Sequence, residues 1–157
     1  MIAYLSGAME FSNDEGASWR EEISYWLDND LGHDVFNPVI ESQLLVERHG
    51  AKSYREWKNQ DINRYIDFIK KCVNRDIEIV RKHCDYLICL WDEHVLKGAG
   101  THAEVTIAYE CNKPVYLVNK LPSKDLSGWI MACSTEIFPD FNILKTFLAK
   151  QYPKKLV

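Results

Sequence analysis

DYLICLWDEHVLKGAGTHAEVTIAYECNKPVYLV, residues 85–118, is the stretch whose reading decides the fold. It begins with a continuous apolar run, Tyr86 to Trp91, bounded by Asp85 and Asp92, as expected of a strand covered on both faces of a sheet. A glycine-bearing loop, Lys97-Gly98-Ala99-Gly100, then leads into a helix from Thr101 to Cys111. Asn112-Lys113-Pro114 stops that helix before a second strand, Val115 to Val118. Strand, helix, strand with so short a spacing calls for a parallel pair joined by a right-handed crossover.

The same alternation extends outward. Residues 2–5 (IAYL) are a β-prone run ended by Ser6-Gly7. Ala17 to Leu31 carries Trp19, Ile23, Trp26 and Leu27 at helical spacing before Gly32. A brief strand, Asp34 to Phe36, is stopped by Asn37-Pro38, and Glu41 to Ser53 is polar without a clear period. From Tyr54 to about His83, Ile62, Tyr65, Ile66, Ile69, Val73, Ile77 and Val80 recur at steps of three and four, the mark of one long amphipathic helix or two abutting ones. A helix near Lys124 to Cys133, a strand at Glu136 to Phe138 and a helix from about Asp140 to Lys150 complete the chain, with a short basic tail at Lys154-Lys155. The pattern predicts a single domain over 1–157, an α/β doubly wound parallel sheet of about five strands flanked by helices. Its expected order is 2-1-3-4-5, as in flavodoxin-like and Rossmann-like folds. Ligands of such sheets sit at the carboxyl ends of strands where the order reverses, here between the first and third strands, whose ends carry Ser6-Gly7 and Gly98 to Glu104.

Composition narrows the function. With 157 residues, 46% of them hydrophobic and 27% charged, the chain is long enough to bury a core without disulfide or metal staples. The longest apolar run falls far short of the ~20 residues of a membrane-spanning helix, and MIAYLSGAMEF lacks the basic region and long apolar stretch of a signal peptide. A cytoplasmic protein is expected. The net charge of −4 argues against binding to nucleic-acid polymers or anionic membranes and in favour of a small ligand. Five cysteines with no C-x-x-C pair read as reduced, mostly buried thiols.

Two carboxylates stand where chemistry would need them. Glu104 lies one turn inside the helix that follows the glycine loop and shares its face with Ala108 and Cys111. It either caps the helix start against Thr101, in a T-x-x-E arrangement, or is available for reaction. Asp76 falls in the stripe of Ile69, Val73 and Val80 and needs a basic partner, such as Arg75 or Arg81, or a function. Two carboxylates converging below a glycine loop suit nucleophilic plus acid/base chemistry at an acetal-like carbon. Competing motifs are weaker. Gly98-x-Gly100-x-x-Ala103 resembles a dinucleotide fingerprint, but Lys120 stands where an acid should hold the ribose. His102-Ala103-Glu104 lacks the P-C-x-x-C of zinc deaminases, and His33, His49, His83 and His94 show no metal-ligand spacing. No order of Ser6 with a histidine and an acid supports a hydrolase triad.

Tyr4-Leu5-Ser6-Gly7, Asn74-Arg75-Asp76 and the 85–118 run together resemble the nucleoside 2-deoxyribosyltransferase-like family, including its nucleoside 5′-monophosphate N-glycosidase branches. The likeness spans most of the chain except an insert around 44–59. It implies that Glu104 is the nucleophile attacking C1′ of a ribose or deoxyribose. Asp76 would be the acid that serves the leaving base, and Tyr4 the hydroxyl that orients the nucleophile. Ser6, Gly7, Gly98, Gly100 and Thr101 would border the sugar's 5′ end, where phosphate-using relatives hold the 5′-phosphate, and Asp92 precedes that loop as a further substrate-binding residue. Relatives form homodimers or higher homo-oligomers in which a neighbour's loop enters the site; here Asp125, Ser127 and Trp129 occupy that loop.

The implied partners are a nucleoside or nucleoside 5′-monophosphate, with a free acceptor base for transfer, and neither a metal nor an organic cofactor. Tyr54 and Trp57 offer either an aromatic wall for a base or simple packing under the long helix. The chemistry expects Glu104 ionised, its pKa kept near the ordinary value by the helix N-terminus, and Asp76 protonated near neutrality. The alternatives are a catalytically silent nucleotide-binding or signalling module and a phosphoribohydrolase of the cytokinin-activating type.

Overall fold

The computed structural model describes residues 1–154, so Lys155 of the basic tail and the end of the expected 1–157 domain lie outside them. Five strands form one sheet: β1 (Ile2–Ser6), β2 (Asp34–Phe36), β3 (Tyr86–Trp91), β4 (Val115–Asn119) and β5 (Glu136–Phe138). All pairings are parallel and the order is β2-β1-β3-β4-β5, as the sequence predicts. The helices are α1 (Ala17–Trp26), α2 (Pro38–Arg48), α3 (Tyr54–Gln60), α4 (Ile62–Glu78), α5 (Gly100–Glu110), α6 (Gly128–Cys133) and α7 (Phe141–Gln151). Among the described residues no helix is long and apolar enough to cross a membrane.

Strand alternation divides the core into two layers. Tyr4, Leu87, Cys89, Trp91 and Leu117 face Val80, Val105, Ala108 and Ile130, which belong to the α4 end, α5 and α6. Ala3, Leu5, Tyr86, Ile88 and Val118 face Ile23 and Leu27 of α1 and its continuation, and Leu144 and Leu148 of α7. The central strand β3 is covered on both sides, which explains its unbroken apolar run.

Three expectations need correction. Asn37-Pro38 does not merely stop β2; it starts α2. Asn37 Oδ1 accepts from the Val39 N–H at 3.1 Å and Pro38 takes the first helical position, where its missing N–H costs nothing. The polar segment was aperiodic because α2 leaves Ile40 and Leu44 exposed. Of the two readings of the 54–83 stretch, the structure takes abutting helices, with the break at Asp61 (φ −150°, ψ 83°), whose side chain caps α4 by accepting from the Arg64 N–H at 3.1 Å. Val73 is exposed, so Asp76 shares its inward face with Cys72 and Val80 rather than with Val73. Between Lys124 and Cys133 only α6 is an α-helix, preceded by a 3-10 turn at Ser123–Asp125. The insert around 44–59 comprises the end of α2 and most of α3. It packs on α4 through a small separate core of Ala51, Trp57 and Phe68, so Trp57 serves packing.

The β1–α1 connection is organised by a fully buried arginine. The Arg20 side chain donates Nε to the Leu5 carbonyl at 3.1 Å and Nη2 to that of Gly7 at 2.8 Å. Its Nη1 donates to Ala8, Glu15 and Gly16 at 3.5, 3.2 and 3.0 Å. Gly16 has φ 71°, and a Cβ there would lie 2.2 Å from Arg20 Nη1 and 2.8 Å from the Ala8 carbonyl oxygen. Gly16→Ala therefore combines left-handed strain with overpacking. It is expected to lower unfolding free energy by about 1–3 kcal/mol, read from urea denaturation at constant m. An unchanged midpoint would show that the loop repacks without cost.

Candidate active site

A cavity of about 240 Å³ opens at the carboxyl ends of β1 and β3, where the strand order reverses. The β1–α1 loop walls one side through Gly7, Met9 and Phe11. Tyr54 and Arg55 of α3 and Tyr65 of α4 wall another, and Gly98, Gly100 and Thr101 form the edge at the start of α5. Glu104 and Asp76 both line it.

Glu104 does not cap its helix. α5 has no side-chain cap, and the carboxylate turns toward the sheet. It accepts a hydrogen bond from Tyr4 Oη at 2.8 Å on Oε1 and one from Ser6 Oγ on Oε2. Both donors come from β1, on alternate residues of one strand, so one face of the strand presents two hydroxyls to one carboxylate. Tyr4 is itself buried and stacked on Phe36, centroids 5.3 Å apart and planes within 10°. Burial holds its phenol well above the ordinary range, with the Glu104 and Asp76 charges adding, so it is a donor.

Burial also pushes the Glu104 carboxyl up, against the two hydrogen bonds from Ser6 and Tyr4 and the charges of Arg20 and Arg75. This corrects the expectation of an unperturbed nucleophile: desolvation raises the group, and the donors and cations that favour the anion oppose it.

Asp76 meets both of its readings. Its Oδ1 accepts from Arg75 Nε and lies 2.8 Å from Arg75 Nη2, while Arg75 Nη2 also donates to Ser42 Oγ of α2 at 3.1 Å. The carboxyl still faces the cavity, and burial pushes it up to about 6, with Glu104 adding and Arg75 opposing. The result is two carboxylates at one cavity, one held by hydroxyls and the other by a guanidinium.

Other expected residues divide. Gly7, Gly98, Gly100 and Thr101 line the cavity and Ser6 lies beneath it. A Cβ on Gly100 would meet nothing within 4 Å, so space beside the first turn of α5 is open. Asp92 stands outside. Its Oδ1 accepts from the backbone N–H groups of His94 and Val95 at 3.0 and 3.3 Å, and it borders a separate groove with Asp14 and Trp19, so it shapes the turn after β3 rather than the cavity. Asp125, Ser127 and Trp129 do not reach the cavity of their own chain. Trp129 is 66% exposed and donates Nε1 to Thr106 Oγ1 at 3.0 Å on the outer side of α5.

Arg20, Phe11, Ser42, Arg55 and Tyr65 take part in or around the site without having been singled out. For Arg20 a signal existed, since it is spaced three and seven residues before Ile23 and Leu27 on the buried stripe of α1. The rest lie on segments whose packing no local pattern reveals. Among the described residues no group of three or more His, Cys, Asp or Glu is arranged to hold a metal ion.

No protein-family model and no curated protein matches the chain. Among solved structures, the CMP N-glycosidase BcmB of Clostridium botulinum is similar, with a TM-score of 0.53 and 17% identity over 94% of this chain and 98% of that one. The likeness is one of fold.

Because the folded protein binds the Asp76 proton more tightly than the unfolded chain does, the stability this group contributes is complete below about pH 4 and is lost as pH rises through about 6. Asp76→Asn should gain stability relative to the wild type across that interval, by up to roughly 3 kcal/mol. Thermal unfolding at a series of pH values checks this, and a difference constant with pH would contradict it.

Proposed function

We propose that the protein cleaves or exchanges the N-glycosidic bond of a nucleoside or nucleoside 5′-monophosphate through a covalent glycosyl intermediate on Glu104. The observation that carries this reading is the Glu104 carboxylate, fixed by Tyr4 and Ser6 on the floor of a cavity that a second carboxyl, Asp76, also lines. A carboxylate whose two oxygens are each held by a hydroxyl has one orientation toward the cavity, which is what in-line attack at a sugar carbon requires. The fold it shares with a CMP N-glycosidase supports the same bond as the target and a nucleotide as the substrate.

In this reading a Glu104 oxygen forms a bond to C1′ as the bond from C1′ to the base nitrogen breaks. The electron pair leaves with the base, and the Asp76 carboxyl gives that base a proton. The glycosyl ester is then opened at C1′ by water, whose proton returns to Asp76, or by the nitrogen of a second base. The first outcome is hydrolysis and the second transfer, both with retained configuration. The open space at Gly100 and the uncapped first turn of α5 suit the 5′ end, since free N–H groups there favour a hydroxyl or phosphate. Asp125, Ser127 and Trp129, all exposed and away from their own cavity, are assigned to the site of a neighbouring copy in a homodimer or higher homo-oligomer.

The test is incubation of wild type and Glu104→Ala with a panel of nucleosides and 5′-monophosphates, with and without a second free base, followed by chromatography of released and exchanged bases. Base release or exchange is expected in the wild type and a loss of ~10³-fold or more in Glu104→Ala. Absence of turnover with ligand binding intact would favour the nucleotide-binding module. Release of ribose 5-phosphate from adenylate-like substrates would favour the phosphoribohydrolase.

The pH profile provides a second check. Since Asp76 must be protonated to serve the leaving base, the base-release rate should fall as pH rises above about 6. In Asp76→Asn that limb should vanish, together with ~10²–10⁴-fold of the rate. A profile flat between about pH 5 and 9 would remove Asp76 from the acid role.

A further inference from the structure

We propose that Arg20 is a positioning residue for Glu104, fixing Ser6 beneath the carboxylate and supplying the buried positive charge that balances it. The inference extends the glycosidase reading to a residue outside the cavity, and its first readout does not depend on turnover.

The geometry is specific. The guanidinium forms no ion pair among the described residues; each of its hydrogen bonds goes to a carbonyl oxygen, and its carbon lies 4.6 Å from the centre of the Trp19 ring. Two of those carbonyls belong to Leu5 and Gly7, the residues on either side of Ser6, so the peptide that enters Ser6 and the one that leaves Gly7 are both held and the residue that donates to Glu104 lies between them. The other three, Ala8, Glu15 and Gly16, close the base of the loop whose Met9 and Phe11 wall the cavity. A buried cation met only by carbonyl dipoles and an aromatic face is costly unless an anion shares its low-dielectric surroundings. Burial works against the Arg20 charge, and Glu104 is the foremost of the groups that favour it, ahead of Tyr4, Cys89 and Asp14; reciprocally, Arg20 favours the Glu104 anion.

The groups facing Glu104 from the elements around it are Tyr4 and Ser6 of β1, Cys89 of β3, Arg75 and Asp76 of α4, and Arg20 of α1. Of the two cations, Arg75 is already committed to Asp76 at 2.8 Å. Among the described residues Arg20 is thus the cation with no carboxylate of its own, and both it and Glu104 reach the Ser6 segment, one through the neighbouring carbonyls and the other through the hydroxyl. The loop clamp and the charge balance are consequences of one side chain, which explains why a helix stripe otherwise formed by Ile23 and Leu27 begins with an arginine.

The experiment follows the Glu104 carboxyl carbon by NMR titration in protein labelled with ¹³C-glutamate, its signal assigned by loss in Glu104→Gln, in wild type, Arg20→Lys and Arg20→Gln. The expected result is an upward move of the Glu104 midpoint by about one pH unit in Arg20→Gln, a tenfold change in proton affinity. Arg20→Lys, which keeps the charge but cannot hold the carbonyls on both sides of Ser6, should show a much smaller move and a lowered kcat with KM little changed. An unchanged midpoint in folded Arg20→Gln, with only stability reduced, would make Arg20 a scaffold residue and overturn the proposal.

If Arg20→Gln does not fold, Arg20→Lys decides. A midpoint that stays near the wild-type value while kcat falls supports the two roles, and one that rises by about one unit overturns charge balance as the function of the position. A shifted midpoint in a protein that turns over no nucleoside would uphold Arg20 and sink the glycosidase reading, so the two failures are distinguishable.

Discussion

A carboxylate taken out of water beside a parallel sheet must be met by donors and cations or lose its charge, and Glu104 is that carboxylate. Its donors, Tyr4 and Ser6, lie 100 and 98 residues away in the chain. They meet it only because β1 and β3 are parallel neighbours, with Ser6 opposite Cys89, and because the crossover after β3 returns α5 over that pair. The strand order therefore does more than bury Tyr4, Leu87 and Val105. It delivers two hydroxyls to one side chain on a helix that starts at the switch point.

Behind this contact sits a second layer of polar groups. Arg20 grips the carbonyls around Ser6 and closes the β1–α1 loop, and Gly16 is a glycine because the guanidinium occupies the space a Cβ would need. On the other side, Arg75 joins Asp76 of α4 to Ser42 of α2, so the start of α2 is tied to the second carboxylate, and the insert that follows packs on α4 through Trp57 and Phe68. The wall of the cavity is thus held by charge-assisted hydrogen bonds rather than by apolar packing alone. Surface ion pairs between Glu10 and Lys58 and between Glu15 and Arg55 join the loop to α3 farther out. Being exposed, each adds little to stability.

The two acids illustrate how environment separates identical chemistry. Asp76 is raised by burial and tempered by a guanidinium in contact; Glu104 is raised by burial and tempered by neutral donors in contact and cations farther away. Each carboxyl also resists ionisation of the other, so the pair titrates as a coupled system.

The sequence by itself determined the alternation of strands and helices, the parallel sheet and its order, and the place of the cavity. The alternation and the parallel pairing follow from periodicity, from stop signals such as Asn112-Lys113-Pro114 and from the handedness of crossovers, all of them local or chiral constraints, while the order and with it the place of the cavity follow from the arrangement that flavodoxin-like folds share. It also marked Glu104, Asp76, Tyr4, Ser6 and the glycine loop as candidates. Only the tertiary structure decided that Glu104 faces β1 instead of capping α5 and that Asp76 serves Arg75 and the cavity at once. It likewise decided that Asp92 holds a turn, that Asp125, Ser127 and Trp129 stand apart from their own cavity, and that Arg20 lies under Ser6. Hydrogen bonds between side chains a hundred residues apart leave no periodic trace in a sequence, and desolvation depends on what the rest of the chain packs around a group, so partners and pKa values emerge only when the layers close.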